Sequence, residues 1–335
     1  MFSKNMIHQT QDIEAAKALS DFLPDRIVDM HAHLLDTSHI PSIDSKLDES
    51  LVLDIDKYKN EMSPLLCNPK SLSLNIIAYP DKIMGDPDSD CLKKCDDFII
   101  GQLNKAPDCR GEIIVTPNCT VDSIKKRLVN DRIRGFKCYH LTAKSDVTWN
   151  CPIGDYLPEA AWQVANEKKM YITLHMVKDK ALADESNLNY IRTMAKKYPD
   201  AVLILAHAAR SFASWTGVEA VERVADLENV WFDFSAVCES PAMIQIIRKA
   251  GISRCMWGSD YPICRARGKA ISLADTFYWI YQNDLDNFTS KTKVNNWTIA
   301  LENLYAVKQA AILTDLSRKD IEHLFANNAL TLFNR

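Results

Sequence analysis

Short, β-prone apolar runs recur along this chain, separated by stretches in which apolar positions return at helical spacing. An amphipathic stretch at residues 11–23 leads into the first run, Arg26–Ala32. The following runs are Ser71–Pro80, Gly111–Pro117, Ile133–His140, Met170–Met176, Ala201–Ala209, Asn229–Ala236 and Ser253–Asp260. Between them the spacing predicts helices over Ser89–Asn104, Val121–Asn130, from Pro158 onward, over Ser186–Tyr198 and Gly217–Leu227, and through PAMIQIIRKAG, whose last glycine suits a helix C-cap. The interval from His33 to about Lys70 is polar and too long for a turn, so it is expected to be a long loop that covers something. After the eighth run, helices are predicted at Ala270–Tyr281, roughly Val294–Leu313 and Ser317–Phe333.

Eight such runs alternating with helices argue for an α/β fold with a parallel sheet. Near-continuous apolar strands are what a sheet buried on both faces requires. The count of eight points to a (β/α)8 barrel with extra C-terminal helices and a long loop after strand one. The rival, a doubly wound open sheet, lacks support because no GxGxxG follows any run. No linker or repeat divides the 335 residues, so one domain over 1–335 is expected, with a barrel core of about 26–285 and C-terminal helices over about 294–333.

Composition narrows the partners more than the fold. The net charge is −4 without a basic run, which disfavours nucleic acid. No apolar run approaches the ~20 residues that span a bilayer, so no membrane association is expected. The first 25 residues show no apolar signal core. The ten cysteines are scattered without a CxxC pair, which argues against a zinc knuckle and for reduced core thiols in a cytoplasmic protein.

The polar residues that end the runs carry the chemistry, because barrel active sites lie at the C-terminal ends of the strands. Strand one ends in His31 and His33, whose side chains share a face. Alone, they fit a chelating pair or two hydrogen-bonded loop histidines equally. Strand four holds Lys137 and ends at His140, strand five ends in His175, strand six in His207 and strand eight in Asp260. Imidazoles with one carboxylate suit a divalent transition metal such as zinc. Such an ion lowers the pKa of water and polarises an ester, amide or lactone carbonyl.

VDMHAH at strand one, LHM at strand five, LAHAAR at strand six and WGSDYP at strand eight resemble the amidohydrolase superfamily, in particular its amidohydrolase-related ("amidohydrolase 2") branch of TIM-barrel metal-dependent hydrolases. DIEHLFANNALTLF, Asp320–Phe333, resembles that branch's closing helix. The resemblance implies metal ligands at His31, His33, His175 and Asp260, with Asp260 also handling the proton of water. It implies a His207 that contacts substrate or water. It implies one metal ion, zinc with manganese as the alternative. In binuclear relatives a carboxylated lysine bridges a second ion, and Lys137 matches that position. Members of the branch are often dimers or larger, so a homo-oligomer is compatible with the resemblance.

The function expected is a metal-dependent hydrolase acting on a C–O or C–N bond of a small, carboxylated molecule. The alternative is non-oxidative decarboxylation on the same ligands, since the branch includes lyases. A non-catalytic barrel predicts broken ligand positions, and all four are filled. Substrate-binding candidates are Lys137, His140, Arg210 and Arg265, with Arg267 beside them, since guanidinium forks read carboxylates. His39, Cys238 and Glu239 are weaker rim candidates. Trp149, Trp215 and Trp257 are expected to pack or to line the mouth.

Overall fold

The structure, a computed structural model, describes residues 4–86, 88–287 and 296–335. Eight parallel strands hydrogen-bond in chain order. They are β1 (Arg26–His33), β2 (Ser71–Ile77), β3 (Arg110–Ile114), β4 (Ile133–Cys138), β5 (Tyr171–Leu174), β6 (Val202–Leu205), β7 (Val230–Asp233) and β8 (Cys255–Met256). The chain beyond β8 closes on β1 through Met30 N to Trp257 O (3.1 Å), Asp260 N to His31 O (2.7 Å) and His33 N to Tyr261 O (2.7 Å). The result is the expected (β/α)8 barrel. Helices such as Asp90–Lys105, Glu185–Lys197 and Pro241–Ala250 lie in the crossovers, burying one apolar face each against the sheet.

Two expectations need correction. The segment after β1 is not a structureless loop. It contains helices Pro41–Asp44 and Ile55–Met62 and a two-stranded pairing of Leu35–Asp36 with Val52–Leu53. Asp54 caps the longer helix by accepting from Lys57 N (2.9 Å), and Leu53, Ile55, Tyr58, Met62 and Leu65 are buried. Its polar composition masks apolar residues at helical spacing. The second correction is Ala270–Tyr281. In place of a helix there is an antiparallel hairpin, β9 (Gly268–Leu273) and β10 (Thr276–Tyr281). The run TFYWIY is aromatic and β-branched, and its alternation places Phe277, Trp279 and Tyr281 on one face. Pairing across the sheet outweighs the helix propensity of Ala270, Leu273 and Ala274.

The chain's end plugs the barrel. The predicted helix Val294–Leu313 is found as Ile299–Leu313; residues 294 and 295 lie outside the described residues. The predicted Ser317–Phe333 helix runs as Arg318–Glu322, a π-helical turn His323–Asn327 and Asn328–Phe333. Ala329, Leu332 and Phe333 pack on Val28, Met30, Tyr171, Val202 and Met256 inside the strands. Asn328 Nδ2 donates to Ile252 O and Cys255 O, both 2.8 Å, at the start of β8. This helix therefore covers the N-terminal end of the barrel and leaves the C-terminal end for chemistry.

Candidate active site

The C-terminal end of β1 carries the first two side chains. The ladder of β1 on β2 shifts register between Asp29 and Ala32, a bulge of the kind that re-aims side chains beside active sites. His31 and His33 end with ring centroids 5.1 Å apart, and each Nε2 lies 3.7 Å from Asp260 Oδ1. The donor atoms of His31, His207 and Asp260 all lie within 4.8 Å of one another. His175 joins through its Nδ1, 3.2 Å from His207 Nε2. Lys137 Nζ reaches His31 Nε2 at 3.1 Å. Strands one, four, five, six and eight thus converge as the sequence pattern expects.

The partners of the ring nitrogens define the tautomers. His31 Nδ1 faces Asp233 Oδ2 at 3.0 Å. His33 Nδ1 faces Ala78 O at 3.1 Å, and His207 Nδ1 faces Ser235 O at 3.1 Å. A carbonyl or a carboxylate accepts only, so these Nδ1 atoms carry the protons and each Nε2 keeps its lone pair. Ring nitrogens oriented in this way are how metal-ligating histidines are held. Burial, with Lys137 nearby, holds His31 well below the ordinary imidazole range. Burial does the same to His33 and His175, and lowers His207 to about 3. Neutral imidazoles beside a carboxylate, with an ammonium resting on one lone pair, form a donor set that fits a divalent cation.

Asp260 is raised to about 7, chiefly by burial; Lys137 opposes the rise, while Asp233 and Asp29 reinforce it. Burial lowers Lys137, opposed by Glu112, Asp233 and Asp260. Below the cluster, Glu112 Oε1 accepts from Asn75 Nδ2 (2.5 Å) and Thr173 Oγ1 (2.7 Å) inside the barrel.

Three carboxylates went unread in the sequence: Asp29, Glu112 and Asp233. Asp233 Oδ1 accepts from His207 N (3.1 Å) and Ser235 N (3.0 Å), while Oδ2 holds His31. Asp29 accepts from His31 N (3.0 Å), Ser259 N (2.9 Å) and Tyr58 OH (2.6 Å). The signal was present, since an acid inside an apolar parallel strand is seldom buried without a partner. Asp233 also braces an unusual backbone. His207, Ala208, Ala209 and Arg210 all have φ between 50° and 61°, one left-handed turn at the end of β6. It brings both His207 and Arg210 to the pocket.

The pocket above the cluster is lined by His33, Tyr79, Tyr139, His175, His207 and Asp260. Other sequence candidates lie apart from it. Arg265 is buried on Glu61, with Nε to Oε2 at 2.9 Å, so it braces the chain beyond Asp260 and does not face the cavity. Arg267 pairs with buried Asp12. His140 packs behind Tyr139 against Trp149, ring centroids 4.1 Å apart, with Nδ1 3.1 Å from Thr148 Oγ1. His39 lies 4.0 Å from Asp36 in the cover segment. Trp149 lines the outer pocket, whereas Trp257 is buried with its Nε1 on Asn303 Oδ1 (2.9 Å).

The fold and this cluster define a (β/α)8 barrel with a histidine–aspartate centre at the C-terminal end of its strands. The chain belongs to the amidohydrolase family, whose sequence profile matches residues 28–335. No curated protein matches by sequence. Solved structures share the fold. An amidohydrolase from Burkholderia multivorans with bound zinc is 13% identical with a TM-score of 0.59, covering 92% of this chain and 99% of that one. A putative 2-pyrone-4,6-dicarboxylic acid hydrolase from Pseudomonas putida is 15% identical with a TM-score of 0.55, covering 93% and 98%. The 5-carboxyvanillate decarboxylase from Sphingomonas paucimobilis is 12% identical with a TM-score of 0.57, covering 92% and 99%. Among the described residues no helix is long and apolar enough to cross a membrane.

Proposed function

We propose that this protein is a metal-dependent hydrolase that cleaves a C–O or C–N bond (amide, ester or lactone) in a small carboxylated molecule. The observation that carries the reading is that His31 and His33, each with Nδ1 on an acceptor, place Nε2 3.7 Å from Asp260 Oδ1, with a His207 donor atom within 4.8 Å of those of His31 and Asp260. His31, His33, His175 and Asp260 would hold a single ion, zinc or manganese, with His207 beside it. Nitrogen and carboxylate donors without thiolate suit either metal. When bound, such an ion supplies Lewis-acid chemistry, activating water and polarising the scissile carbonyl.

The chain's own groups supply the rest. Asp260 takes the proton of the attacking water and returns it to the leaving group. His207 orients the carbonyl oxygen, and the Lys137 ammonium balances the carboxylates around the site. Arg210, at the outer pocket, meets the substrate carboxylate. In this reading Lys137 stays an amine; in the alternative, a carboxylated Lys137 would help to hold a second ion.

The alternative is non-oxidative decarboxylation on the same ligands, in which the ion would anchor a substrate oxygen and protonation of carbon would be the key step. The two reactions separate on incubation of the metal-loaded enzyme with lactones, amides and aromatic or enoic acids. Hydrolysis consumes water and releases an acid. Release of carbon dioxide without water uptake would overturn the hydrolase reading.

A further inference from the structure

The cavity above the cluster extends outward past His175, His207 and Asp260, and the hairpin that replaced a predicted helix builds its outer wall. Phe277, Trp279 and Tyr281 of β10 line it, together with Phe212, Arg210 and Trp149. Tyr278, on the opposite face of the same strand, is 55% exposed. The rings form a continuous series outward from the centre. His207 stacks on Phe212 with centroids 5.3 Å apart, and Phe212 meets Phe277 at 5.1 Å and Trp279 at 5.3 Å. Trp279 and Tyr281 lie within 9° of parallel.

The hairpin is tethered over this cavity. Glu239 Oε2 accepts from Ser272 N and Ser214 Oγ, both at 3.1 Å. Trp215 Nε1 donates to Asp275 O at its tip (3.1 Å). Arg210 is the cation of this lining, whose inner edge is His175, His207 and Asp260. Its guanidinium lies 5.5 Å above the Phe277 ring, and Nη1 donates to Lys178 O at 2.9 Å. Among the described residues no carboxylate lies within ion-pair distance of it, although the charge of Asp179 acts on it. A half-buried guanidinium at an aromatic wall can still take a carboxylate bidentately.

We propose that the hairpin β9–β10 and Arg210 form a recognition subsite for a flat, conjugated ring bearing a carboxylate, with Trp279 and Phe277 setting the preference for flatness. The proposal rests on the active-site assignment above, and it narrows the substrate class. Ring faces reward a conjugated ring by offset stacking. They offer few partners for the hydroxyls of a sugar-like lactone, whose desolvation would go uncompensated.

The test is equilibrium binding, by titration calorimetry on the metal-loaded protein at neutral pH, of benzoate against cyclohexanecarboxylate. Both present one carboxylate, so any contact with the metal or with Arg210 is common to them. Benzoate is expected to bind about fivefold tighter. Trp279→Ala should abolish that preference, while Tyr278→Ala, on the outer face, should keep it. Arg210→Gln should weaken both acids about tenfold or more. Equal affinities for the two acids in the unmodified protein, or no binding of either, would overturn the subsite, and that comparison depends on no variant. Failure to hydrolyse any ester, amide or lactone would strike only the catalytic reading and leave these binding results standing.

Discussion

At the scale of single residues, the site is decided by what stands behind the first-contact side chains. His33 Nε2 reaches Asp260 because Ala78 O holds its other nitrogen. His33→Ala should therefore leave the folded protein with little metal, measured as bound zinc after dialysis. His207→Ala should keep the metal and lose turnover by roughly 10²–10⁴-fold. Because His207 shares the 4.8 Å triad with His31 and Asp260, loss of metal in both variants would make His207 a ligand. Asp233 orients His31 through Nδ1 and His207 through its backbone N–H. Asp233→Asn should weaken metal affinity roughly 10–100-fold, as expected for a carboxylate behind a ligating imidazole. An unchanged zinc dissociation constant would remove Asp233 from that role.

At the scale of elements, the hairpin departs from expectation for a reason that short apolar runs share. Helical and β readings compete over short apolar runs, and tertiary contacts arbitrate. TFYWIY is held as a strand by its pairing with Gly268–Leu273 and by the ring contacts of Phe277 and Trp279. The left-handed turn from His207 to Arg210 has no glycine to signal it. Its strain is sustained at the site because it aims two side chains at one cavity. Asp260 shares that conformation, with φ 59°. Lys169 caps the helix Glu159–Lys168 in the left-handed conformation, with φ 53°, and it is exposed. Lys169→Gly should stabilise the fold by about 1 kcal/mol, read as a higher denaturant midpoint at constant slope.

At the scale of the whole molecule, the barrel interior is polar in its middle and apolar at its plugged end. Glu112 lies in that middle, fully buried, and burial raises it from 4.5 to about 7, with Lys137 opposing. A carboxyl raised in the folded state binds its proton more tightly there than in the unfolded chain. Its contribution to stability is thus full below 4.5 and is lost as pH rises through about 7. Glutamine mimics the protonated acid at every pH. Relative to Glu112→Gln, the native protein should lose about 1.4 kcal/mol per pH unit between those values, measured by denaturation at a series of pH values. A pH-independent difference between the two proteins would contradict this.

Periodicity and the count of eight runs determined the strands and the edge on which His31, His33, His175, His207 and Asp260 gather. They could do so because parallel strands buried on both faces must be apolar, and their polar ends then stand out. Only the tertiary structure decided the rest. It turned the segment after β1 into a packed cover, and Ala270–Tyr281 into an aromatic hairpin. It turned Arg265 away from the cavity onto Glu61 and placed Asp233 behind both His31 and His207. Those outcomes depend on partners tens to hundreds of residues away, and local spacing carries no record of such contacts. The candidate ligands of this chain therefore stand at its strand ends, and the loops that fold back over them shape the cavity above.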